Sequence, residues 1–495
     1  MKYIWILGVL IFGMALFNGF VGDDSGYINH PYIQKFQLIK LVTGSSSDLG
    51  GSSPITGSFY RPAMLIMLSA LYQIFHQQAF GYHFFQISLH IANASLVYFL
   101  FRNFFKKKLS LFLALIFLVH PINAETVLYV SNLQDVLMMT FGLLGILWYW
   151  PFLLLALLAK ETGILFLVMA LIVKRANWIR ISGILATYIV IRLAAGVGTS
   201  GGISRYAGFS PDIILYYLKT FFAPVNLAIG QTWMPTNNIF KTIIFLLIIF
   251  IITAVLIRKR NYKMVFFTGW TVLGLLPHLQ IIPLEMTVAD RWFYFSGIGL
   301  IGVIGVMGKN FKNWVWISII MLLAIRTVIR IPDFKNYERL LTHDSSVTES
   351  YLLEQALGYV QNSKEHTLKS IAIYPNPVNT NTLGVLYFRE NNLKEAEKWF
   401  RKSITLGDNF QSFNNLARIS ISQEKWAEAE KIISAGQQKF PNSDNFWFLE
   451  AIVRYKQGET TQALQAIQEA LKISKSQQNL YIYQQLVNNK PIQIN

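Results

Sequence analysis

The sequence predicts an all-α protein in two parts: a polytopic membrane domain of about eleven helices, then a helical repeat array. Three observations carry this. The 495 residues are 53% hydrophobic, with a mean hydropathy of +0.39, too long and too apolar for one soluble domain. Apolar segments of spanning length alternate with short basic clusters through residues 1–330. Beyond residue 331 the composition turns mixed-charge and polar, and it repeats.

Segments of spanning length run at about 3–20, 80–104, 133–150, 178–195, 239–257, 263–282, 290–308 and 312–330, with shorter ones at 62–78, 109–122 and 151–173. Between them lie "RNFFKKK" at 102–108, "KRANWIR" at 174–180, "RKRNYK" at 258–263 and "KNFKN" at 309–313, thirteen positive charges and no acid. Such clusters are retained on the cytoplasmic side. With all four inside, 62–78 becomes an interfacial helix in an outer loop, 21–79. The 151–173 segment becomes a hairpin with its tip at Lys160-Glu161. The count is then eleven spans, with the N-terminus cytoplasmic and the end of the last span outside. The long first loop and the repeat tail face outward. The lack of cysteine and of an N-x-Ser/Thr sequon in the tail leans bacterial, and the expected setting is a bacterial inner membrane.

The net charge of +17 does not signal nucleic acid. Residues 1–330 hold 25 Lys+Arg against 9 Asp+Glu, whereas 331–495 hold 18 against 17. The surplus lies between apolar segments, where it sets orientation. The absence of cysteine also excludes disulfides, thiol nucleophiles and thiolate metal sites.

This threading gathers charged residues at the outer face, where acid beside a membrane is costly and calls for a partner or a role. Asp23 and Asp24 follow the first span; they are read as a general base, a ligand pair for a divalent cation, or a solvated turn. Arg61 precedes Pro62 at a helix start, aimed at the headgroup zone or snorkelling to it. "HPINAETVLYVSNLQD" adds His120, Glu125 and Asp135, with a helix cap as the alternative for His120. Lys160-Glu161 and Asp290-Arg291 complete the set with Arg192, mutual neutralisation being the alternative for each adjacent pair. Together they describe an outward cavity with acids for a base or metal and cations for a phosphate.

In the tail, "NTLGVLYFRENNLKEAEKWFRKSI", "NNLARISISQEKWAEAEKIISAGQQKFP" and "WFLEAIVRYKQGETTQALQAIQEAL" align. Small residues recur at Gly384, Ala417 and Ala451, and at Ala396, Ala429 and Ala463, spaced 33 then 34. A 34-residue helix–turn–helix with small residues at close crossings is the tetratricopeptide pattern. The expected layout is a membrane domain over 1–330, a connector with an atypical first helical pair over 331–375, and about three repeats with a cap over 376–495.

The stretches "FVGDDSGYI", "SFYRPAMLIMLSALYQIF", "VHPINAETVLYVS", "LLAKETGILF" and "VADRWFYFSGIG", in this order and before a repeat tail, carry a resemblance. The membrane half resembles the GT-C superfamily of polyprenyl-phosphate-sugar glycosyltransferases, above all the transmembrane-and-tetratricopeptide-repeat O-mannosyltransferases. The resemblance implies an inverting hexosyltransferase that moves a sugar, mannose by expectation, from a polyprenyl-phosphate carrier to a protein Ser/Thr hydroxyl outside the cytoplasm. It implies Asp23 or Asp24 as base, with Glu125 as a further catalytic acid. Arg61, Lys160, Glu161, Arg192, Asp290, Arg291, His120 and Asp135 would then surround the substrate, and a divalent cation on Asp23 and Asp24 is an option. The partners implied are the lipid-linked donor and an acceptor protein or peptide on the repeats, with no nucleic acid. The chain departs from the family at Gly22, where Trp is usual, and at Leu133, where Arg is frequent.

Two further classes fit parts of the chain. One is an O-antigen ligase or polymerase, whose working residues sit in a large late outer loop; here that loop, 283–289, is tiny. The other is a non-catalytic membrane-anchored tetratricopeptide scaffold, in which Asp23 and Asp24 would be dispensable.

Overall fold

The computed structural model describes residues 1–44, 59–173, 177–197, 208–236, 238–244, 247, 258, 261–281, 284–488 and 490–492. Among the described residues it is helical throughout, apart from one isolated bridge between Gln231 and Val288. The chain divides into two compact units, Met1–Glu349 and Ser350–Asn495.

Unit 1 is built on α1 (Lys2–Phe12), α2 (Pro62–Phe75), α3 (Ala79–Arg102), α4 (Lys107–Val119) and α5 (Leu133–Leu147). These are followed by α6 (Phe152–Ala159), α7 (Ile164–Val173), α8 (Trp178–Ala194), α9 (Pro211–Phe222) and α10 (Tyr262–Leu275). The unit closes with α11 (Phe293–Met307), α12 (Asn313–Arg330) and α13 (Tyr337–Val347). The central helix α3 is about 36 Å long at helical rise and packs on α4 and α5. After α4 the chain bends by 46°, because Pro121 cannot continue the amide ladder. The α6–α7 hairpin doubles back against α5. Leu153 lies under Gly145, Lys160 reaches Asp135, and Phe166 returns to Gly142, where an added Cβ would sit 2.2 Å from the ring.

The expectation of about eleven spans is corrected. Among the described residues three helices are long and apolar enough to cross a membrane, Ala79–Arg102, Val130–Leu147 and Asn313–Lys335. A fourth is added if the bent pair from Lys107 to Leu128 counts as one. The segment expected at 3–20 is α1 plus a 3-10 turn, and those at 178–195, 263–282 and 290–308 form helices shorter than their apolar runs. Most of 239–257 lies outside the described residues. Hydropathy scores an apolar side chain alike whether it faces lipid or a neighbouring helix, and most of α11 is buried in protein. Likewise α2, expected at the interface, buries Met64, Leu65 and Leu68 and packs on α6 and the turns before it.

The first unit also takes in the stretch expected to begin the connector. Gly19 donates its amide to the Lys335 carbonyl at 2.9 Å. Buried Arg330 forks onto Asp344 at 2.7 and 3.0 Å, and Asp344 accepts the Ile229 amide at 2.7 Å. This places α13 within unit 1.

Unit 2 is a tetratricopeptide-like array of helix pairs: α14 (Tyr351–Val360) with α15 (Lys364–Ile373), α16 (Pro377–Arg389) with α17 (Leu393–Leu406), α18 (Phe410–Ser422) with α19 (Trp426–Lys439), and α20 (Asp444–Lys456) with α21 (Thr460–Ile473). The helix α22 (Gln477–Val487) follows as a cap. Asn376 starts α16 with a capping box ahead of Pro377. The first helix of every pair ends alike, on a residue of positive φ at Asn362, Asn391, Glu424 and Gly458. The next amide then reaches back to a carbonyl five residues earlier, as in Ser363→Gly358, Asn392→Tyr387, Lys425→Ser420 and Glu459→Arg454, at 2.8–3.0 Å. The six recurring small residues are buried at the helix crossings. The atypical first pair has shorter helices and its own close crossing, Gly358 on Thr367.

Candidate functional site

The charged residues converge at one end of unit 1. Asp24 opens a short helical turn, Asp24–Ile28, and is 1% exposed. Its carboxylate accepts the Val21 amide at 3.0 Å and both the amide and hydroxyl of Ser131 at 2.6 Å. Burial nevertheless pushes its carboxyl up to about 7. Asp23 is half-buried, and its amide donates to the Tyr129 hydroxyl at 2.8 Å. No hydrogen bond or ion pair to the Asp23 carboxylate occurs among the described residues. Burial raises its pKa, and the charge of Arg291 lowers it in part.

Around it stand matched ion pairs. Arg291 pairs with buried Glu125 through its guanidinium and donates its amide to the same carboxylate at 3.0 Å. Lys160 meets Asp135 at 2.6 Å, both nearly sealed from solvent. Arg61 meets Glu161 at 3.0 Å, the Tyr60 amide adds a bond at 2.8 Å, and Arg192 approaches Glu161 at 3.8 Å. Asp290 accepts from the Tyr216 hydroxyl at 2.7 Å.

The adjacent pairs therefore do not neutralise one another. Lys160 has extended backbone (φ −158°, ψ 141°) at the hairpin break, so its side chain and that of Glu161 leave in different directions. Asp290 and Arg291 also part, as successive residues of a 3-10 turn, toward Tyr216 and Glu125. His120 is a cap: Nδ1 accepts the Ile122 amide at 3.2 Å, Nε2 bonds the Phe221 carbonyl at 3.0 Å, and the ring stacks on Phe221. The structure thus brings Asp23, Asp24, Glu125, Asp135, Arg61, Lys160, Glu161, Arg192 and Arg291 into one cluster. Asp290 lies at its edge and His120 is occupied elsewhere.

Asp24 spends its oxygens on three donors, and among the described residues no group of three or more His, Asp or Glu could hold an ion.

Sequence reasoning passed over His278, Tyr129 and Tyr337. His278 is buried and stacked on Trp292 at 4.8 Å, its Nδ1 has no hydrogen-bond partner among the described residues, and it feels Lys160 and Arg291. A lone His in "GLLPHLQ", ending an apolar helix, is the signal that could have found it. Tyr129 lies inside a quoted stretch but carries no charge to draw notice, and Tyr337 comes to Asp23 only through the packing of α13.

No family model matches the chain, and no curated protein matches it. Similar solved structures include the yeast Tom70 crystal structure, with 11% identity over 82% of this chain and 94% of that one and a TM-score of 0.27. The APC/C hetero-tetramer Cut9-Hcn1 is another, with 14% identity over 86% and 89% and a TM-score of 0.28. The expected GT-C resemblance is corrected accordingly. Among the described residues unit 1 has three or four helices of spanning length rather than about eleven. Sugar transfer from a polyprenyl-phosphate donor is withdrawn with it.

Proposed function

We propose that the chain is a membrane-embedded scaffold whose unit 2 holds an extended segment of a partner protein. The observation that carries this reading is the repeat array itself. Stacked helix pairs present the first helices of successive pairs at one register, a ready surface for a peptide. Along that surface Asn381 accepts from Ser412 and Asn415, while Phe388 and Arg418 stay exposed. In the proposed topology the N-terminus and the basic turns are cytoplasmic, in a bacterial inner membrane. The charged cluster and the exit of α12 then lie on the other side.

Photo-crosslinking of the full chain in membranes tests the reading. A benzophenone residue at 388, 418 or 456, on first helices, should capture a protein that the same residue at 402, 431 or 472, on second helices, does not. Equal capture from both sets refutes it.

Asp23 favours a second reading, in which unit 1 is an acid–base centre. It is a carboxyl with no hydrogen bond or ion pair among the described residues, set amid paired charges, and burial raises its pKa, the direction that suits a proton-transfer group.

A further inference from the structure

We propose that the end of unit 1 opposite the charged cluster is a collar that binds the headgroups of an anionic lipid leaflet. The inference rests on the membrane reading above.

Four helices of unit 1 have two chemically different ends. Near the start of α3, Gln86 bonds the Thr126 and Tyr129 carbonyls beside the cluster; α3 ends on Arg102, about 24 Å away at helical rise. The helix α4 runs from Lys107 up to His120. The helix α5 carries Asp135 in its first turn and ends before Trp148-Tyr149-Trp150. Asp290 and Arg291 precede α11, and Lys309 follows it.

The far ends are packed together. Lys263 donates to the Phe104 carbonyl at 2.5 Å, and Phe105 stacks on Phe267. Phe112 and Phe311 both pack on Trp316, and Phe99 meets Trp148 at 5.5 Å. This brings Arg102, Lys106, Lys107, Lys108, Lys309 and Lys312 to one rim, all exposed. Segments 102–108, 148–151, 261–263 and 308–313 contain no carboxylate. Among the described residues none of the six cations forms an ion pair.

A bare cationic rim calls for an anionic partner, and what adjoins it decides which. Trp148, Tyr149, Trp150 and Trp314 are exposed at the same level, the placement of rings at a membrane interface. Directly beyond Lys312, α12 turns Ile317, Met321, Leu322, Ile325 and Ile329 outward. Nucleic acid would satisfy the cations and leave this apolar wall in water. A lipid leaflet takes both, its phosphates on the rim and its chains on α12. Each Lys or Arg at an anionic surface is worth about fivefold in partition.

The full chain is reconstituted in phosphatidylcholine vesicles, and its tryptophan fluorescence is quenched with brominated phosphatidylglycerol or brominated phosphatidylcholine at equal mole fraction. The expected result is a several-fold preference for phosphatidylglycerol, weakened by salt and abolished by K106Q/K107Q/K108Q/K309Q/K312Q. If that variant does not fold, K309Q/K312Q, on exposed turn positions, should still lose a substantial part of the preference. Equal quenching by the two lipids, or a preference untouched by either variant, overturns the collar and leaves the membrane reading standing. Quenching by neither lipid overturns both. Displacement of phosphatidylglycerol by a DNA oligonucleotide would reassign the rim to nucleic acid and overturn the proposal.

Discussion

Gly384 sits where α16 crosses α17, and the register of the repeats predicts what replacing it will do. A Cβ there would lie 2.6 and 2.7 Å from ring atoms of Phe400, well inside ordinary contact. The two following repeats hold Ala417 and Ala451 at this register, both fully buried, and at the register of Phe400 they carry buried Ile433 and Ile467 rather than Phe. Gly with Phe and Ala with Ile are thus two solutions of one packing problem. Gly384→Ala should incur overpacking of about 1–3 kcal/mol, offset by about 1 kcal/mol of helix propensity. Phe400→Ile should cost about 1–3 kcal/mol through the space it leaves. The double variant copies its neighbours and should recover, giving a favourable coupling of at least about 1 kcal/mol. Because the chain has no cysteine, Ser420→Cys, 2% exposed, supplies a single buried thiol in every variant. Thiol labelling against denaturant then reports the opening of unit 2 in the full chain. Additive effects of the two substitutions would refute the reasoning.

Two further outcomes follow from unit 1. Lys160→Met strands Asp135 in a sealed site, where one Asp135 oxygen already lacks a hydrogen bond among the described residues, and should cost about 3–5 kcal/mol. K160M/D135L should recover most of that loss in thermal unfolding in detergent, and a harmless single variant would contradict the pairing. For Asp24, a folded-state pKa raised to about 7 means that the folded chain binds more protons than the unfolded one above the ordinary carboxylate value. The stability is therefore present below about pH 4 and lost as pH climbs toward about 7, roughly 4 kcal/mol in all for this shift. Asp24→Asn should lessen that slope, and infrared titration should show a further carboxyl, lost in Asp23→Asn, that keeps its proton above the usual range. A flat stability profile in the wild type would refute the burial argument.

The repeat half was largely legible because its contacts are short in sequence. Residues sixteen apart, such as Gly384 and Phe400, pack across one turn, so a 33–34-residue recurrence already implies the crossing. The four left-handed turn residues were less visible, since only Gly458 is a glycine and Glu424 carries no such signal. In unit 1, hydropathy located apolar helices and failed to count spans, because burial in protein and burial in lipid look alike to it. The family resemblance rested on ordered short motifs, none of which specifies a fold by itself.

By itself, then, the sequence determined the helical class, the repeat, the bias of positive charge to particular turns and the identity of most residues in the charged cluster. Composition and period set these, and both are local properties. Tertiary structure alone decided the partners: Lys160 with Asp135 rather than with Glu161 beside it, Arg291 with Glu125, and Arg61 with Glu161, a hundred residues distant. A buried charge takes whichever opposite charge the packed helices bring within reach. Chain adjacency does not supply that geometry where neighbouring side chains diverge, as they do from the extended backbone at Lys160 and from the 3-10 turn at Asp290-Arg291.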